Sequence, residues 1–206
     1  MPSRIGDALH WYATYTPNRI AIVSSAGTQS YAQLWSRVCR LSSALAELGL
    51  APGDRIALLM QNSSSYLEVY QAAALMGAAV VPLNFRFTAS EIEYVVNHSG
   101  ARALLFDDSF SETVQSLRTR LPSVAGRYVV IDGSADHTTH SYEALIAAGR
   151  ETPPSTPADL SACYFQGYPP RSSTGSTSTA GCSKAIRADF CPSSNGSRPK
   201  RVTSTF

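Results

Sequence analysis

RIALLMQNSSSYLEVYQAAALMGAAVVPLN, residues 55–84, is the stretch that decides the fold of this chain. Residues 56–60 form a continuous apolar run between turn-forming residues, a pattern typical of a strand buried on both faces. Ser65 and Glu68 have the spacing of a capping box and predict the start of a helix. A second apolar run over residues 79–83 predicts another strand. Strand, helix and strand within about 30 residues indicate a βαβ unit with parallel strands.

The helix of this unit has three apolar residues close to one side of a 3.6-residue period. We expect these residues, Leu67, Tyr70 and Ala74, to face the core together with Met76 or Gly77. Gly77 is placed to end the helix, because glycine adopts a left-handed conformation without steric penalty.

Upstream of this unit the sequence predicts one helix, one hairpin and a second helix. The first helix is expected over residues 5–15 and the hairpin over residues 19–31. Ser30 and Gln33 form a second capping box. The helix that they begin has leucine and valine at three- and four-residue steps, and Gly49 is expected to end it.

Downstream, the alternation of strands and helices continues. Strands are predicted at residues 103–106 and 128–131. Two helices are predicted to begin at capping boxes, one formed by Thr88 with Glu91 and the other by Ser109 with Glu112. A last helix is predicted at residues 141–148, followed by a stiff linker at residues 153–157. Repeated alternation of this kind predicts an α/β fold in which helices cover both faces of a mostly parallel sheet.

Length and hydropathy are those of a chain that can bury a core. Of the 206 residues, 44% are hydrophobic and 16% are charged. No apolar run approaches the roughly 20 residues of a membrane span, and the first residues lack the apolar core of a signal peptide. We therefore expect a cytoplasmic protein without a transmembrane segment.

Composition changes abruptly near Phe165. Residues 1–165 contain 11 Arg and no Lys against 14 acidic residues, whereas residues 166–206 contain 6 basic residues and one acidic residue, Asp189. All 17 leucines lie at or before Leu160, and 22 of the last 41 residues are Ser, Thr, Gly or Pro. Such a segment buries too little apolar surface to offset its ordering entropy. We therefore predict two regions, with residues 166–206 a disordered tail.

Two short polar stretches follow predicted strands, where ligands bind open α/β sheets. Asn84 and Arg86 follow the second strand of the central unit, and we expect them mainly to hydrogen-bond their own loop. Asp107 and Asp108 follow the next strand, and their position before a helix favours a structural role at its amino terminus over metal or ribose binding. No G-x-G-x-x-G motif follows a strand, which argues against a dinucleotide-binding domain.

Histidines and cysteines give no catalytic or metal-binding pattern. The four histidines, His10, His98, His137 and His140, have no serine, cysteine or carboxylate at a telling spacing. The four cysteines show no C-x-x-C motif, and Cys39 is expected to be a small core residue. We therefore assign no catalytic, cofactor-binding or metal-binding residue in this chain.

Four segments, in order, resemble the adenylate-forming acyl-CoA synthetases. TQSYAQL at 28–34 is similar to the family's TYAEL stretch, GLAPGDRIA at 49–57 to GLxxGDRVA, GAAVVPLN at 77–84 to GAVVVPLN, and EIEYVVNHSGA at 91–101 to EIxYxLxDSGA. The resemblance covers roughly residues 5–165. Fatty-acyl-CoA ligases look most similar, because residues 82–86 read PLNFR.

The resemblance implies the amino-terminal subdomain of the adenylate-forming fold and a two-step ligase. Such enzymes use ATP and Mg²⁺ to convert a carboxylic acid to an acyl-adenylate, and then transfer the acyl group to coenzyme A. The family's phosphate loop, similar to YTSGTTGxPKG, should begin directly after Phe165.

Here the sequence departs from the family. Residues 172–177 have suitable hydroxyls and Lys184 follows, while residues 198–200 keep Arg-Pro-Lys but stand between Ser197 and Arg201, where the family has glycines. Side chains at those positions would obstruct close backbone approach to a phosphate. No residue present therefore supports ATP, Mg²⁺ or coenzyme A binding, and an out-of-frame tail would explain the simultaneous loss of resemblance and of leucine.

Two classes of function stay open. As an enzyme, the chain would be part of an acyl-CoA ligase acting on a small carboxylic acid, inactive alone. As a non-catalytic remnant or interaction module, it would self-associate through exposed apolar surface. The tail is too dilute in basic residues for nucleic-acid binding.

Overall fold

The computed structural model describes residues 5–24, 27–134, 136 and 139–152. The helices are α1 Ile5–Tyr15, α2 Tyr31–Glu47, α3 Ser64–Met76, α4 Ala89–Ser99, α5 Ser111–Leu117 and α6 Tyr142–Ala148. The strands are β1 Ile20–Ser24, β2 Gly27–Ser30, β3 Arg55–Leu59, β4 Ala79–Pro82, β5 Ala103–Asp107, β6 Tyr128–Ile131 and β7 Thr139–Ser141. Single 3₁₀ turns occupy Asp108–Phe110 and Arg118–Arg120.

Five strands form one parallel sheet in the order β4-β3-β5-β6-β7, and β1 and β2 form a separate antiparallel hairpin. The predicted α/β fold is therefore confirmed. The short strand β7 is not predicted by its sequence, Thr-His-Ser, because it has no apolar run; its pairing with β6 defines it. No helix among the described residues is both long and apolar enough to cross a bilayer.

Helices cover both faces of the sheet, as predicted. Along β3, Ile56 and Leu58 belong to a core cluster that also contains residues of α1, α2, α3 and α6. Ala57 and Leu59 belong to a second cluster with residues of α4 and α5. All four side chains are fully buried. The continuous apolar run of β3 therefore reflects burial on both faces, as predicted, because neighbouring residues of the strand face opposite cores.

The central βαβ unit is confirmed, but its predicted capping box is wrong. Ser63, not Ser65, is the N-cap, and its Oγ accepts a hydrogen bond from the Tyr66 N–H at 3.2 Å. Glu68 does not reach back to the helix start; it is 1% exposed and binds donors from other elements. Gly77 ends the helix with φ 72° and ψ 24°, as predicted.

The predicted inner face of α3 is confirmed for Ala74 and Met76 but is wrong for Leu67. Leu67 is 40% exposed, whereas the buried face contains Glu68, Val69, Ala72, Ala73, Ala74 and Met76. Val69, Ala72, Ala73 and Met76 lie three and four residues apart and define this buried face, so Leu67 falls outside it. Glu68 belongs to the same buried face, and donors from other elements make its burial favourable.

Two other predicted caps are confirmed and one is wrong. Ser30 and Gln33 exchange both capping hydrogen bonds, and Glu91 accepts from the Thr88 N–H at 2.8 Å. Ser109 and Glu112 do not cap α5. That helix begins at Ser111 after a 3₁₀ turn, and the Ser111 hydroxyl donates to Asp108 Oδ1 at 3.0 Å.

Several predictions fall outside the described residues. They are the proline linker, the tail over 166–206, His137, and the hydroxyl-rich and Arg-Pro-Lys stretches of the tail.

Candidate functional site at the carboxyl edge of the sheet

Strand order makes the carboxyl ends of β3 and β5 the expected ligand-binding edge of the sheet. The chain runs from β3 to β4 on one side and then to β5 on the other side of β3, so the winding direction changes between β3 and β5. Open α/β sheets bind ligands at such a point. Here Asp107, the last residue of β5, accepts a hydrogen bond from the Gln61 N–H at 2.8 Å, which joins the two strand ends. Burial, and then the nearby carboxylate of Asp132, raise the pKa of Asp107, although this hydrogen bond opposes the shift.

Asn84 and Arg86 stabilise their own loop, as predicted. Asn84 Oδ1 accepts from the Arg86 N–H at 3.0 Å, and the Arg86 guanidinium lies 5.3 Å from the centre of the Phe85 ring. Asn84 is exposed. These residues do not line the cleft described below.

Asp108 lies close to Gly133, in the turn that follows β6. A Cβ at Gly133 would lie 2.4 Å from Asp108 Oδ1, and Asp132 has a φ of 57°. Asp108 also accepts from Ser111, so the predicted structural role at a helix start holds for it. Among residues 5–24, 27–134, 136 and 139–152, no group of three or more His, Cys, Asp or Glu is arranged to hold a metal ion.

A cleft of about 710 Å³ lies at the same edge of the sheet. The β1-β2 hairpin, α2, the start of α3 and the segments that follow β6 and β7 form its walls. Its lining residues are Ile22, Val23, Ser24, Gln29, Arg37, Asn62, Ser63, Ser64, Ser65, Leu67, Glu68, Asp132 and Glu143.

Glu68 is the centre of a hydrogen-bond network in the wall of this cleft. Its Oε1 accepts from Arg37 Nε at 2.7 Å and from Gln29 Nε2 at 3.0 Å. Its Oε2 accepts from the Tyr142 hydroxyl at 2.7 Å and from Arg37 NH2 at 3.1 Å. One buried carboxylate therefore joins β2, α2, α3 and α6, and its charge is compensated by a cation and two neutral donors.

Arg37 is shared between two carboxylates. Besides Glu68 it donates to Glu143 Oε1 at 2.7 Å and to Glu143 Oε2 at 3.0 Å. The hydrogen bonds to Glu143, and then those to Glu68, raise the pKa of Arg37, while burial opposes them. Burial raises the pKa of Tyr142 well above its usual value, and the charge of Glu68 raises it further. Arg37 therefore stays charged and Tyr142 stays a hydrogen-bond donor at neutral pH.

The charges of the cleft do not fit the phosphates of a nucleotide. Three carboxylates line it, those of Glu68, Asp132 and Glu143, and Arg37 is the one basic side chain among its described lining residues. Both edges of that guanidinium are already used by Glu68 and Glu143. Three carboxylates against one guanidinium leave the lining with an excess of negative charge, which would repel a phosphate.

The described histidines and Cys39 lie away from the cleft lining. His10 stacks on Trp35 with ring centres 4.7 Å apart, and His98 stacks on Tyr94 at 5.4 Å. Cys39 is fully buried, and burial raises the pKa of its thiol to about 12. This burial confirms the predicted core role of the cysteine.

Sequence reasoning missed the Glu68 network. One signal was present: Glu68, Ala72 and Met76 are spaced four residues apart on α3, so the carboxylate lies in a row of buried positions. Its partners carried no such signal.

Comparison with known proteins gives one family match and many relatives. The family model for AMP-binding enzymes matches residues 9–166. A long-chain-fatty-acid–CoA ligase of Thermus thermophilus is 36% identical over 134 residues, which are 65% of this chain and 24% of the relative. A fatty acid–[acyl-carrier-protein] ligase of Streptomyces coeruleorubidus is 35% identical over 112 residues, which are 54% of this chain and 22% of the relative. The chain therefore spans about a quarter of the length of these relatives.

Solved structures show the same fold. A Mycobacterium tuberculosis fatty acyl CoA synthetase superimposes with a TM-score of 0.63 at 27% identity, covering 75% of this chain and 30% of that one. An anthranilate CoA ligase solved with anthranoyl-AMP gives a TM-score of 0.72 at 22% identity, over 80% of this chain and 32% of the ligase, which shows likeness of fold alone.

Proposed function

Because this chain belongs to the AMP-binding enzyme family, we propose that it is the amino-terminal part of a cytoplasmic fatty-acid–CoA ligase. The reaction of such an enzyme is ATP-dependent activation of a carboxylic acid to an acyl-adenylate, followed by transfer of the acyl group to coenzyme A. The observation that carries the proposal is the family match over residues 9–166. The parallel sheet and the acyl-CoA and fatty-acid ligases among the relatives support it.

Within this proposal, the described residues form a scaffold and not a nucleotide site. The cleft at the carboxyl edge is lined by three carboxylates, and its arginine is already paired. ATP, Mg²⁺ and coenzyme A would therefore require residues beyond those described. We propose that residues 1–206 by themselves catalyse neither step.

An ATP–pyrophosphate exchange assay with fatty acids of several lengths tests this. We expect no exchange by the 206-residue chain. A chimera of residues 1–165 followed by the remaining sequence of the Thermus thermophilus ligase should restore exchange. Exchange by the chain alone would overturn the proposed inactivity, and a folded chimera without exchange would count against the enzymatic assignment.

We also propose that residues 1–165 form the enzyme-like region and that residues 166–206 are read out of frame. The end of the family match at residue 166, the loss of leucine after Leu160 and the switch to basic residues support this division. Sequencing the gene from the codon for Ser161 onward, with translation in all three frames, tests it. A loop ending in Pro-Lys-Gly in a neighbouring frame is the expected result, and its absence would make the tail genuine.

Exposed apolar side chains favour a second candidate, a non-catalytic module that associates with itself. Tyr15 is 68% exposed, Val23 76% and Ile20 56%. Analytical ultracentrifugation with a hydrophobic dye would distinguish the two. A dye-binding oligomer supports the module, and a monomer that binds no dye argues against it.

A further inference from the structure

Strand β1 has one edge without a partner strand. Its residues, Ile20–Ser24, pair with β2 in a sheet of two strands. The other edge of β1 therefore presents backbone N–H and C=O groups with which no strand of the described chain pairs. Another strand can add to an exposed edge of this kind. The edges of the larger sheet are less suitable, because β4 contains Pro82, which has no N–H, and β7 has three residues.

The side chains of β1 favour the addition of a second strand. The strand reads Ile-Ala-Ile-Val-Ser and contains neither a charged residue nor a proline, the residues that normally protect an edge from association. Ile20 is 56% exposed and Val23 is 76% exposed. A strand that covers these two side chains would remove apolar surface from water, which stabilises the association.

The two ends of β1 differ in charge. Arg19 precedes the strand, is exposed and makes no ion pair with a residue that the structure describes. At the other end, Val23 and Ser24 line the cleft at the carboxyl edge of the sheet. The lining of this cleft has three carboxylates against one guanidinium. Strand β1 therefore has a basic residue at its start and a negatively charged surface at its end.

The β1 strand of a second copy matches both the apolar edge and the charges. When two identical strands pair antiparallel, the start of each lies beside the end of the other. Arg19 of each copy then lies beside the cleft of the other copy, and the apolar side chains of the two strands become cross-strand neighbours. Parallel pairing would bring the two arginines together, so charge favours the antiparallel arrangement. Each contact then occurs twice, as in any isologous interface.

We propose that two copies of this chain associate by antiparallel pairing of β1 with β1, with Arg19 of each copy beside the negatively charged cleft of the other. The proposal rests on the second candidate function, self-association, and names the surface that carries it. A pair of five-residue strands is smaller than the interface of a permanent dimer, so we expect a reversible dimer.

Sedimentation equilibrium of the full chain and of two lysine variants tests the proposal. Val23→Lys places a charge on the apolar edge and should raise the dissociation constant of the dimer at least about tenfold. The matched control is Tyr94→Lys. It adds the same charge at a 54% exposed aromatic residue of α4, on the other face of the sheet, and should change the dissociation constant less than about twofold.

A reversal of charge tests the antiparallel arrangement. Arg19→Glu places a carboxylate beside the carboxylates of the partner's cleft and should raise the dissociation constant about three- to tenfold. Arg86→Glu changes an exposed arginine in the loop after β4 and is the control, for which we expect no such rise. An Arg19→Glu variant that associates as tightly as the native chain would overturn the arrangement.

Two further outcomes separate the proposal from the function on which it rests. A native chain that stays monomeric at every concentration overturns self-association itself. A dimer that Val23→Lys weakens no more than Tyr94→Lys does confirms self-association but overturns the pairing of β1.

Amide hydrogen exchange keeps the test decisive if Val23→Lys disturbs the hairpin. It is measured on the native chain at concentrations above and below the dissociation constant. Amides of residues 20–24 that lie on the open edge should exchange at least about ten times more slowly in the dimer, because they gain partners there. Equal exchange of these amides in the monomer and the dimer overturns the proposal.

Discussion

The two faces of the sheet are stabilised in different ways. The face under α4 and α5 has a core of hydrophobic residues such as Ile92, Phe106 and Leu117. The face under α1, α2, α3 and α6 has a hydrophobic core as well, but the buried carboxylate of Glu68 joins its elements through donors on Gln29, Arg37 and Tyr142.

This difference teaches where each face is sensitive. A hydrophobic core depends on volume and shape, and it tolerates substitutions that conserve both. A buried polar network depends on every partner, because removal of one leaves the others buried without compensation. We call the two faces the hydrophobic face and the networked face.

The largest expected effect is on the networked face. Glu68→Ala leaves Arg37, Gln29 and Tyr142 without their shared acceptor, and we expect a loss of about 3–5 kcal/mol in the free energy of unfolding. Urea unfolding followed by circular dichroism measures it. Glu112→Ala, at an exposed carboxylate on α5, is the matched control and should change stability by less than about 0.5 kcal/mol. A Glu68→Ala variant as stable as the control would break the distinction between the faces.

On the hydrophobic face, Ile92→Ala should cost about 3 kcal/mol, because it opens a cavity at a fully buried position. Ile92→Val removes one methyl group and should cost about 1 kcal/mol. The same urea titrations test both. Losses that do not grow with the removed volume would show that packing is not what stabilises this face.

Tyr142→Phe removes one donor to Glu68 and should cost about 1.5–3 kcal/mol at pH 7. Its pH dependence sharpens the comparison. The folded-state pKa of Tyr142 is raised, so the folded chain keeps a proton that the unfolded chain loses above pH ~10. Stability contributed by Tyr142 is therefore present below pH ~10 and is lost above it. Thermal unfolding between pH 8 and 11 should decline less in Tyr142→Phe than in the native chain; parallel declines would contradict this.

The smallest effect is expected at Asp107, at the sheet edge between the faces. The folded-state pKa of Asp107 is raised. Between the ordinary pKa of the carboxylate and this raised pKa, the folded chain therefore binds more protons than the unfolded chain. The free energy of unfolding falls as the pH rises through this range. Asp107→Asn keeps an oxygen for the Gln61 N–H and avoids burying a charge. We expect a gain below about 1 kcal/mol at pH 7 that disappears at pH 3. A loss of stability at pH 7 would show that the charge strengthens the hydrogen bond more than burial opposes it.

Much of the fold could be predicted because its signals are local. The apolar runs of β3, β4, β5 and β6 identify strands buried on both faces, and the caps at Ser30 and Thr88 follow from residues three positions apart. Errors occurred where a contact distant in sequence decided the outcome. Strand β7 exists through pairing with β6, and Glu68 is buried beside donors from other elements.

The candidate site was far less predictable from sequence. Asn84 and Asp108 were correctly assigned local roles, since their partners Arg86 and Ser111 are two and three residues away. The cleft is different, because the hairpin, α2, α3 and α6 supply its walls from separate parts of the chain.

The sequence by itself determined the order of the helices and of every strand except β7, the parallel sheet and membership of a family, because each of these rests on patterns within a few tens of residues. Tertiary structure alone decided that Glu68 is buried, since its partners are 39, 31 and 74 residues away along the chain. A carboxylate is excluded from a core unless donors compensate its charge, and only folding brings Gln29, Arg37 and Tyr142 to it.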